Sequence, residues 1–231
     1  MNIQILHMIE GAKKATGVTV VIDVFRAFTV EAYLMAAGAE TIIPVGDIDF
    51  AYQYKQLHPD VLLAGERHGV MCEGFDFGNA PPQISQINPK GKTVVHTTSA
   101  GTQGIANAQN AEILLTGSLV NAKAVARYIR QLDPKVVSLV CMGLEGVAEA
   151  EEDTLCAEYI RSILLDEPME LKERIEHLKL TTGAKFFDPA KNDVFPEEDF
   201  TFCTQVDKFD FVLKVEKNTD GLHLIRKITV Q

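Results

Sequence analysis

The stretch VTVVIDV at residues 18–24 decides the fold. It is a near-continuous apolar run with one acidic residue, Asp23, close to its end, which is typical of a parallel strand buried on both faces. The residues after it predict a helix, with Thr29 as its N-cap and Gly38 just past its end. TIIPV at residues 41–45 predicts the next strand, so the region is a predicted strand–helix–strand unit.

The same alternation continues outward from this unit along most of the chain. Residues 209–215 alternate apolar and polar side chains, and a turn at 218–221 and a second strand follow, which predicts an antiparallel hairpin. We therefore expect an α/β fold: three-layer α/β/α, with a mixed, largely parallel sheet and a C-terminal antiparallel hairpin appended to it. Residues 1–231 are expected to form a single domain, with a mobile loop at 188–199. Further strands are predicted at residues 61–65, 93–98, 113–117 and 136–142, and helices after Asp47 and at residues 118–132, 152–165 and 169–180.

Residues 22–46 and 96–118 show the same order of features. Each has a strand, a polar turn, an Ala-rich helix, an Ala-Glu pair and a second apolar strand. Two explanations are open: an old duplication, or a chance likeness between two units with Ala-rich helices. Two similar segments are fewer than a repeat assignment usually requires, so we favour the chance likeness.

The bulk composition indicates a globular protein in a reducing compartment. Of the 231 residues 46% are apolar and 23% charged, and the four cysteines are widely scattered. Because the N-terminus has no secretory pattern and no stretch is apolar enough to span a bilayer, we expect a cytoplasmic protein with no membrane partner. The net charge of −10 disfavours a nucleic-acid partner. The sequence leaves open whether the chain forms a homodimer.

Charged and hydroxyl side chains follow several predicted strands. Asp23 and Arg26 follow the first, Glu66 and Arg67 follow another, and TTSAGT at residues 97–102 follows a third. Ligands of open α/β sheets bind beyond the carboxyl ends of the strands, so converging ends would bring these groups together. Carboxylates suit Mg²⁺, Arg binds phosphate through two hydrogen bonds, and N–H groups at a helix start bind oxyanions. Each piece alone also fits a helix cap or a solvated ion pair. The acidic first turn of a predicted helix adds Glu151, Glu152 and Asp153.

The connection GERHGVMCEGFDFGNAPP at residues 65–82 is the strongest functional signal. It combines glycines, an arginine, carboxylates, Asn79 and a Pro pair with little periodicity, and such long connections are usually functional. His68 within it is a candidate for acid–base work. His96, in contrast, lies inside an apolar predicted strand and is expected to be a core residue with satisfied hydrogen bonds.

Three rival phosphate-handling motifs are absent from the sequence. A haloacid-dehalogenase-type motif needs a second Asp two positions after Asp23, where Phe25 stands. A cysteine phosphatase needs Cys and Arg framing a five-residue loop, whereas Cys156 and Arg161 frame only residues 157–160 inside a predicted helix. A Walker A loop needs a Gly-Lys-Ser/Thr sequence, which the chain lacks.

Several ordered motifs resemble those of the 2-phosphosulfolactate phosphatase family. Members of this family are Mg²⁺-dependent enzymes that make sulfolactate on the route to coenzyme M. The resemblance covers residues 18–215 and implies a Mg²⁺-dependent phosphatase, a phosphoric monoester hydrolase, acting on a small anionic phosphorylated acid. The motifs are IDVFRAFT at 22–29, GERHGVMCEGFDFGNAP at 65–81, TTSAGT at 97–102, EEDTLCAEYI at 151–160 and FCTQVDKFDFVLKV at 202–215.

The resemblance also implies roles for individual residues. It leaves two routes open: attack by a metal-activated water, or a transient aspartyl phosphate on Asp23 or Asp76. The implied catalytic residues are Asp23, Glu66, Asp76 and Arg67. The implied ligands of Mg²⁺ are Asp23, Glu66, Asp76 and Asp153. The residues implied for substrate or phosphate binding are Arg26, Arg67, Asn79, Thr97, Thr98, Gly101 and Thr102.

The chain departs from the family pattern where the pocket is expected. Phe28 and Ala80 stand where the family usually has hydroxyl residues, and Ser99-Ala100 precedes Gly101 where Asn is common. A lost donor leaves a sulfonate oxygen imperfectly paired, which costs about 1–3 kcal/mol. We therefore expect 2-phosphosulfolactate to be used poorly, or another small phosphorylated acid to be preferred. A second hypothesis is a non-catalytic small-anion-binding module that retains the fold.

Overall fold

Strands and helices alternate along residues 1–230, which the computed structural model describes. The strands are β1 (Asn2–His7), β2 (Gly17–Ile22), β3 (Thr41–Val45), β4 (Leu62–Arg67), β5 (Val70–Met71), β6 (Thr93–Thr97), β7 (Ala111–Gly117), β8 (Val136–Cys141), β9 (Phe211–Lys217) and β10 (His223–Thr229). The α-helices are α1 (Met8–Lys14), α2 (Ala27–Ala36), α3 (Ile48–Leu57), α4 (Gly101–Asn107), α5 (Ala122–Leu132), α6 (Glu151–Leu165), α7 (Lys172–Leu178) and α8 (Glu197–Cys203). Short 3₁₀-helices occupy Pro81–Gln86, Leu119–Asn121, Ala184–Phe187 and Pro189–Lys191.

Local chemistry explains where the elements near the sheet centre begin. Every residue of β2 is buried, as its apolar composition predicts for a strand covered on both faces. Helix α2 starts at Ala27, before the predicted N-cap Thr29, whose hydroxyl instead donates to the Val24 carbonyl at 2.9 Å. Asp47 caps α3 as predicted, accepting from the Asp49 N–H at 2.9 Å.

All ten strands within residues 1–230 join one sheet, in the order β1-β8-β2-β7-β9-β10-β3-β6-β4-β5. Strands β1, β8, β2 and β7 are parallel to one another, and so are β3, β6 and β4. The hairpin β9–β10 lies between these two groups and is antiparallel to β7 on one side and β3 on the other. The two parallel groups therefore run in opposite directions. The predicted C-terminal antiparallel hairpin is confirmed, but it lies inside the sheet and links the two groups, whereas it was expected to be appended to the sheet.

The central place of the hairpin follows from its burial. Leu213 and Val215 pack in a core cluster on one face of the sheet, and Val212 packs in a second cluster on the other face. Helices cover both faces, which gives the expected three-layer α/β/α arrangement. Apolar and polar side chains were taken to alternate over residues 209–215, but residues 211–213 are all buried.

Helix α2 and helix α4 lie where the two strand groups approach each other. Helix α2 is buried on nearly all sides, and α4, which follows β6, packs on β2 of the other group. A Cβ on Gly104 would lie 2.5 Å from Val21 Cγ1, and one on Gly101 would lie 3.1 Å from Asp23 Oδ2. A flat sheet would put the carboxyl ends of opposed groups at opposite edges. The sheet therefore curves around these helices, and the ends meet.

The two similar segments take equivalent positions in the fold. The unit β2–α2–β3 starts in one strand group and ends in the other, and β6–α4–β7 does the same in the reverse direction. β2 pairs in parallel with β7, and β3 pairs in parallel with β6. This reciprocal pairing favours a duplication over the chance likeness that the sequence suggested.

Two further features are the state of the cysteines and the apolar character of the helices. The four cysteines, Cys72, Cys141, Cys156 and Cys203, are all buried and free, as expected. Among residues 1–230, no helix combines the length and the apolar character that crossing a bilayer requires.

We predict that the hairpin core is a main source of stability. Leu213 is fully buried in β9, so Leu213→Ala should lower the free energy of unfolding by about 2–5 kcal/mol in urea titrations. Leu57 is 77% exposed at the end of α3, and Leu57→Ala is the matched control, with an expected change within about 0.5 kcal/mol. Equal losses in the two variants would contradict the central role of the hairpin.

Candidate active site

A polar cavity of about 120 Å³ lies where the strand ends of both groups converge. Asp23 follows β2, Glu66 lies in β4, Ser99 follows β6 and Gly143 follows β8, so the predicted convergence is present. The other residues that line the cavity are Phe25, Arg26, His68, Gly69, Asn79, Thr98, Ala100, Leu144, Glu145, Glu152, Lys185 and Phe195.

Asp23 is a buried carboxyl group that lines the cavity and has a strongly raised pKa. Its side chain is 7% exposed; Oδ1 accepts from the Ala27 N–H at 3.1 Å, and Oδ2 has no hydrogen-bond partner in residues 1–230. Burial, and to a smaller extent the charges of Glu66 and Glu152, raise the pKa of Asp23 to about 7, although the Ala27 N–H and Lys185 oppose this rise. The carboxyl group thus titrates near neutral pH.

Glu66 holds two loops in place at the cavity wall. Its Oε2 accepts from the Gly69 N–H at 2.6 Å, and its Oε1 accepts from the N–H and the hydroxyl of Ser99 at 2.9 and 3.0 Å. These bonds tie the Gly-rich connection after β4 to the loop before α4. Since donors occupy both oxygens, Glu66 has less capacity left for a metal ion than Asp23.

Glu152 and Asp153, at the start of α6, take different roles. Asp153 lies outside the cavity, and it accepts from the N–H groups of Val24 and Gly143 at 2.8 Å each, tying two strand ends together. Glu152 lines the cavity, and its Oε2 is buried with no partner in the described residues. Burial raises the pKa of both carboxyls. Of the two, the sequence interpretation selected Asp153, whereas the structure brings Glu152 to the site.

Successive side chains on a helix point about 100° apart, so only one of two neighbouring acids can face a given cavity. The acidic first turn of α6 correctly indicated that an acidic residue reaches the site. It did not show how α6 is rotated about its axis. That rotation depends on packing with other elements, and it decides between Glu152 and Asp153.

Arg26 anchors residues 194–199, the segment that covers the cavity. Its guanidinium donates to Asp199 at 2.5 Å, to the Val194 carbonyl at 2.9 Å and to the Gly69 carbonyl at 3.2 Å. It also lies 4.9 Å from the ring centroid of Phe195. The segment expected to be a mobile loop is therefore anchored, since Asp199 is fully buried against this arginine. The pairing with Asp199 offsets the positive charge that was assigned to phosphate binding.

Arg67 does not reach the cavity. It follows Glu66 in β4, and successive side chains of a strand point to opposite faces. Its guanidinium donates to the carbonyls of Glu66 and Gly46 at 2.7 and 2.9 Å and to the Thr97 hydroxyl at 2.7 Å. The structure thus separates Arg67 and Thr97 from the residues assigned with them to phosphate binding.

Asp76 also lies outside the cavity, although the sequence interpretation assigned it to catalysis and metal binding. Its Oδ2 accepts from the Leu63 N–H at 2.7 Å and lies 3.5 Å from Lys55 Nζ. These contacts tie the long connection to β4. The structure gives Asp76 a bracing contact in place of a ligand position.

The residues around the start of α4 divide between lining and support. Thr98 lines the cavity, and its hydroxyl accepts from the Thr102 N–H at 3.3 Å. The Thr102 hydroxyl donates back to the Thr98 carbonyl at 3.0 Å, so the pair forms a capping turn. Gly101 supports Asp23 by lacking a Cβ, which would press on Oδ2. Thr102 and Gly101 therefore support residues that line the cavity and do not line it themselves.

Asn79 lines the cavity and is the end of a buried chain of polar groups. His96 Nε2 lies 3.3 Å from Asn79 Oδ1, and His96 Nδ1 lies 2.9 Å from Glu31 Oε1. His96 and Glu31 are fully buried, and burial raises the pKa of Glu31. The expectation of a core histidine with satisfied hydrogen bonds is confirmed.

Two residues at the site, His68 and Lys185, can carry a positive charge. His68 stands at the mouth, 80% exposed, with Nδ1 2.8 Å from Glu145 Oε1, and this contact raises the pKa of His68. Lys185, from the 3₁₀-helix Ala184–Phe187, lines the cavity among aromatic rings. No motif marked Lys185 in the sequence, because its position depends on how residues 184–187 pack on the site.

The departures at Phe28 and Ala80 do not face the cavity. Phe28 is 1% exposed and packs in the core beneath Gly101. Ala80 lines a neighbouring cavity of about 200 Å³. Neither of these two substitutions removes a hydrogen-bond donor from the main cavity. Ala100, which stands where Asn is common in the family, does line the cavity, so of the three departures only this one still bears on the use of 2-phosphosulfolactate.

The free carboxylate oxygens suit a hard divalent cation. Within residues 1–230 no three His, Cys, Asp or Glu side chains are grouped closely enough to hold a metal ion by themselves. Mg²⁺, however, commonly binds through one or two carboxylates and takes waters or substrate oxygens as its other ligands. Asp23 and Glu152, each with an oxygen that lacks a partner, fit that pattern.

An α/β fold whose strand ends enclose an acidic cavity is typical of an enzyme that acts on a small molecule. The family model for 2-phosphosulpholactate phosphatase matches residues 5–218, so the chain belongs to that family. The fold and the family together define a phosphatase, a phosphoric monoester hydrolase.

Curated relatives agree with the family match. The probable 2-phosphosulfolactate phosphatase of Bacillus subtilis (strain 168) is 33% identical over 204 residues, covering 87% of this chain and 88% of the relative. The protein of the same name from Carboxydothermus hydrogenoformans is 40% identical over 168 residues, covering 72% and 69%. That of Caldanaerobacter subterraneus subsp. tengcongensis is 35% identical over 211 residues, covering 85% and 87%.

We predict that the buried carboxyl of Asp23 makes the metal-free protein less stable as pH rises. Its pKa is 3.8 ordinarily and about 7 in the fold, so the folded state binds the proton more tightly. Stability is therefore lost as pH rises through this window, by on the order of 2 kcal/mol between pH 5.5 and 8. Urea titrations in EDTA should show a smaller loss for Asp23→Asn than for the wild type.

The control for this experiment is Asp60→Asn, a change at an exposed carboxyl far from the cavity. It should retain the wild-type loss of stability between the two pH values. An Asp23→Asn variant with the same loss as the wild type would show that Asp23 is not the titrating group.

Proposed function

We propose that this chain hydrolyses 2-phosphosulfolactate to sulfolactate and phosphate, and that the reaction requires Mg²⁺. The observation that carries this proposal is the cavity itself, in which Asp23 and Glu152 offer carboxylate oxygens that have no partner in the described residues. The name shared by the relatives supports the substrate. Since Phe28 and Ala80 lie outside the cavity, they do not argue against a sulfonate.

Asp23 and Glu152 would hold the metal ion. When bound, Mg²⁺ supplies a positive charge that polarises a phosphoryl oxygen and activates water. Besides burial, repulsion from Glu66 and Glu152 raises the pKa of Asp23, and a bound cation would offset that repulsion. Without a cation, an anionic phosphoester would meet an acidic cavity in a chain of net charge −10.

The remaining residues position and enclose the reaction. Glu66 and Asp153 fix the loops that form the walls, and Arg26 holds the segment that carries Phe195 over the cavity. This cover limits water around the phosphoryl group, which strengthens the electrostatic contacts inside. Asn79 presents an amide to the cavity from its place next to His96.

Two routes break the P–O bond to the organic acid. In one, water attacks phosphorus and loses a proton, while the leaving oxygen takes one up. In the other, the Asp23 carboxylate attacks phosphorus and expels the organic acid, whose leaving oxygen takes up a proton. Water then attacks the phosphorus of the aspartyl phosphate, loses a proton and restores the Asp23 carboxylate. Mass spectrometry of acid-quenched samples tests the second route, because phosphorylated Asp23 is formed only there.

We predict that turnover depends on Mg²⁺ and on the carboxylate of Glu152. Phosphate release should stop in excess EDTA and return with Mg²⁺, and Glu152→Gln should reduce kcat about 100-fold or more. The neighbouring Glu151→Gln is the matched control, because Glu151 is exposed and bonded to Thr181. It should remain close to wild type. Full activity in excess chelator would rule out the metal requirement.

We predict that 2-phosphosulfolactate is preferred over phosphoglycolate, phospholactate and phosphoglycerate. The sulfonate adds an anionic group with three acceptor oxygens, which donors that line the cavity, such as the Asn79 amide and the Thr98 hydroxyl, can bind. Side-by-side measurement of kcat/KM should give a preference of about tenfold or more. A better rate with one of the other acids would overturn the substrate assignment, and phosphate binding without release from any substrate would identify the non-catalytic module instead.

A further inference from the structure

We propose that Lys185 is the residue that donates hydrogen bonds to the phosphoryl oxygens of the substrate. This inference rests on the proposed phosphatase function, because it names the cation that contacts the transferred group. The geometry points to Lys185 for three reasons: its free ammonium, the aromatic rings that hold it, and its position beside the two carboxylates without partners.

The first reason is that Lys185 is the uncommitted cation of the site. Arg26 also lines the cavity, but its guanidinium is bonded to Asp199 and to two carbonyls. Lys185 has no hydrogen-bond or ion-pair partner within residues 1–230. An ammonium carries three donor hydrogens, and here all three are available to a ligand. The oxygens of a phosphoryl group can accept hydrogen bonds from these three hydrogens.

The second reason is that aromatic rings hold the ammonium without using its hydrogens. The Lys185 nitrogen lies 5.3 Å from the ring centroid of Phe195, 5.4 Å from that of Phe186 and 6.0 Å from that of Phe25. Each distance is within the range of a cation–π contact. Phe186 and Phe195 lie in the same part of the chain as Lys185, and Phe25 comes from the distant connection after β2. They position the charge before any substrate arrives and displace part of its water, so binding an anion costs less ordering.

The third reason is the location of the charge relative to the acidic groups. Lys185 lines the same cavity as Asp23 and Glu152, and its positive charge lowers the pKa of both carboxyls. It is thus within electrostatic reach of the oxygens that would hold the metal ion. A phosphoryl group bound in this cavity would be within reach of the ammonium, which would stabilise the negative charge that develops in the transition state.

Another lysine of the chain provides a close comparison. Lys179 also lies over aromatic rings, at 5.8 Å from both Phe187 and Phe200. Its ammonium, however, is bonded to Glu176 at 2.7 Å, and it does not line the cavity. The aromatic contacts of the two lysines are similar, so a difference between their variants reports the position of Lys185 at the site.

The experiment compares Lys185→Met, Lys185→Arg and Lys179→Met with the wild type. Lys185→Met keeps a flexible apolar stem among the rings and removes the charge, and it should lower kcat/KM about 100-fold or more with an unchanged Tm. Lys185→Arg restores a cation and should recover at least tenfold over Lys185→Met. Lys179→Met should match the wild type. If Lys185→Met is unstable, Lys185→Gln serves in its place.

Calorimetric titration with inorganic phosphate in the presence of Mg²⁺ tests binding apart from turnover. Lys185→Met should weaken the Kd for phosphate about tenfold or more, and Lys179→Met should leave it unchanged. If the wild type turns over substrate and Lys185→Met is equally active, or binds phosphate equally well, the role of Lys185 is overturned. The proposed function would not be affected by that result. A wild type that releases no phosphate would overturn the proposed function, and the phosphate titration would still decide the role of Lys185.

Discussion

The structure depends on holding two oppositely directed groups of parallel strands in one sheet. The hairpin β9–β10 does this through antiparallel pairing with β7 on one side and β3 on the other. It places buried side chains on both faces, so the last elements of the chain complete both core layers. The curvature that results brings Asp23 of one group against Gly101 at the end of the other. The cavity lies where the strand ends of these two groups meet.

Burial of like charges is the cost that the site imposes on the fold. Asp23, Glu66 and Glu152 share one cavity, and burial together with mutual repulsion raises the pKa of Asp23. Bracing contacts keep the arrangement in place: Asp153 binds two backbone N–H groups, and Glu66 binds Gly69 and Ser99. The site thus separates carboxylates with satisfied bonds, which support the walls, from those with free oxygens, which can serve a ligand.

The sequence predicted the features that depend on local pattern. The α/β alternation, the hairpin and the placement of Asp23 and Glu66 at strand ends follow from burial and periodicity, and the structure bears them out. Features set by tertiary packing were beyond it. The face of β4 that Arg67 takes, the rotation of α6 that selects Glu152, and the packing that brings Lys185 inward depend on distant contacts. Strand β1 was missed because its residues are only partly buried and carry little periodicity.

The reciprocal pairing of β2–α2–β3 with β6–α4–β7 has a consequence for how the chain could have arisen. Each unit lends its second strand to the group that the other unit begins, so neither unit completes a group of strands alone. Two separate copies of one such unit, related by a two-fold axis, would pair in this same way. The arrangement of the two units is thus that of an isologous pair within one chain, and Asp23 of the first unit and Ser99 of the second line the cavity at the seam between them.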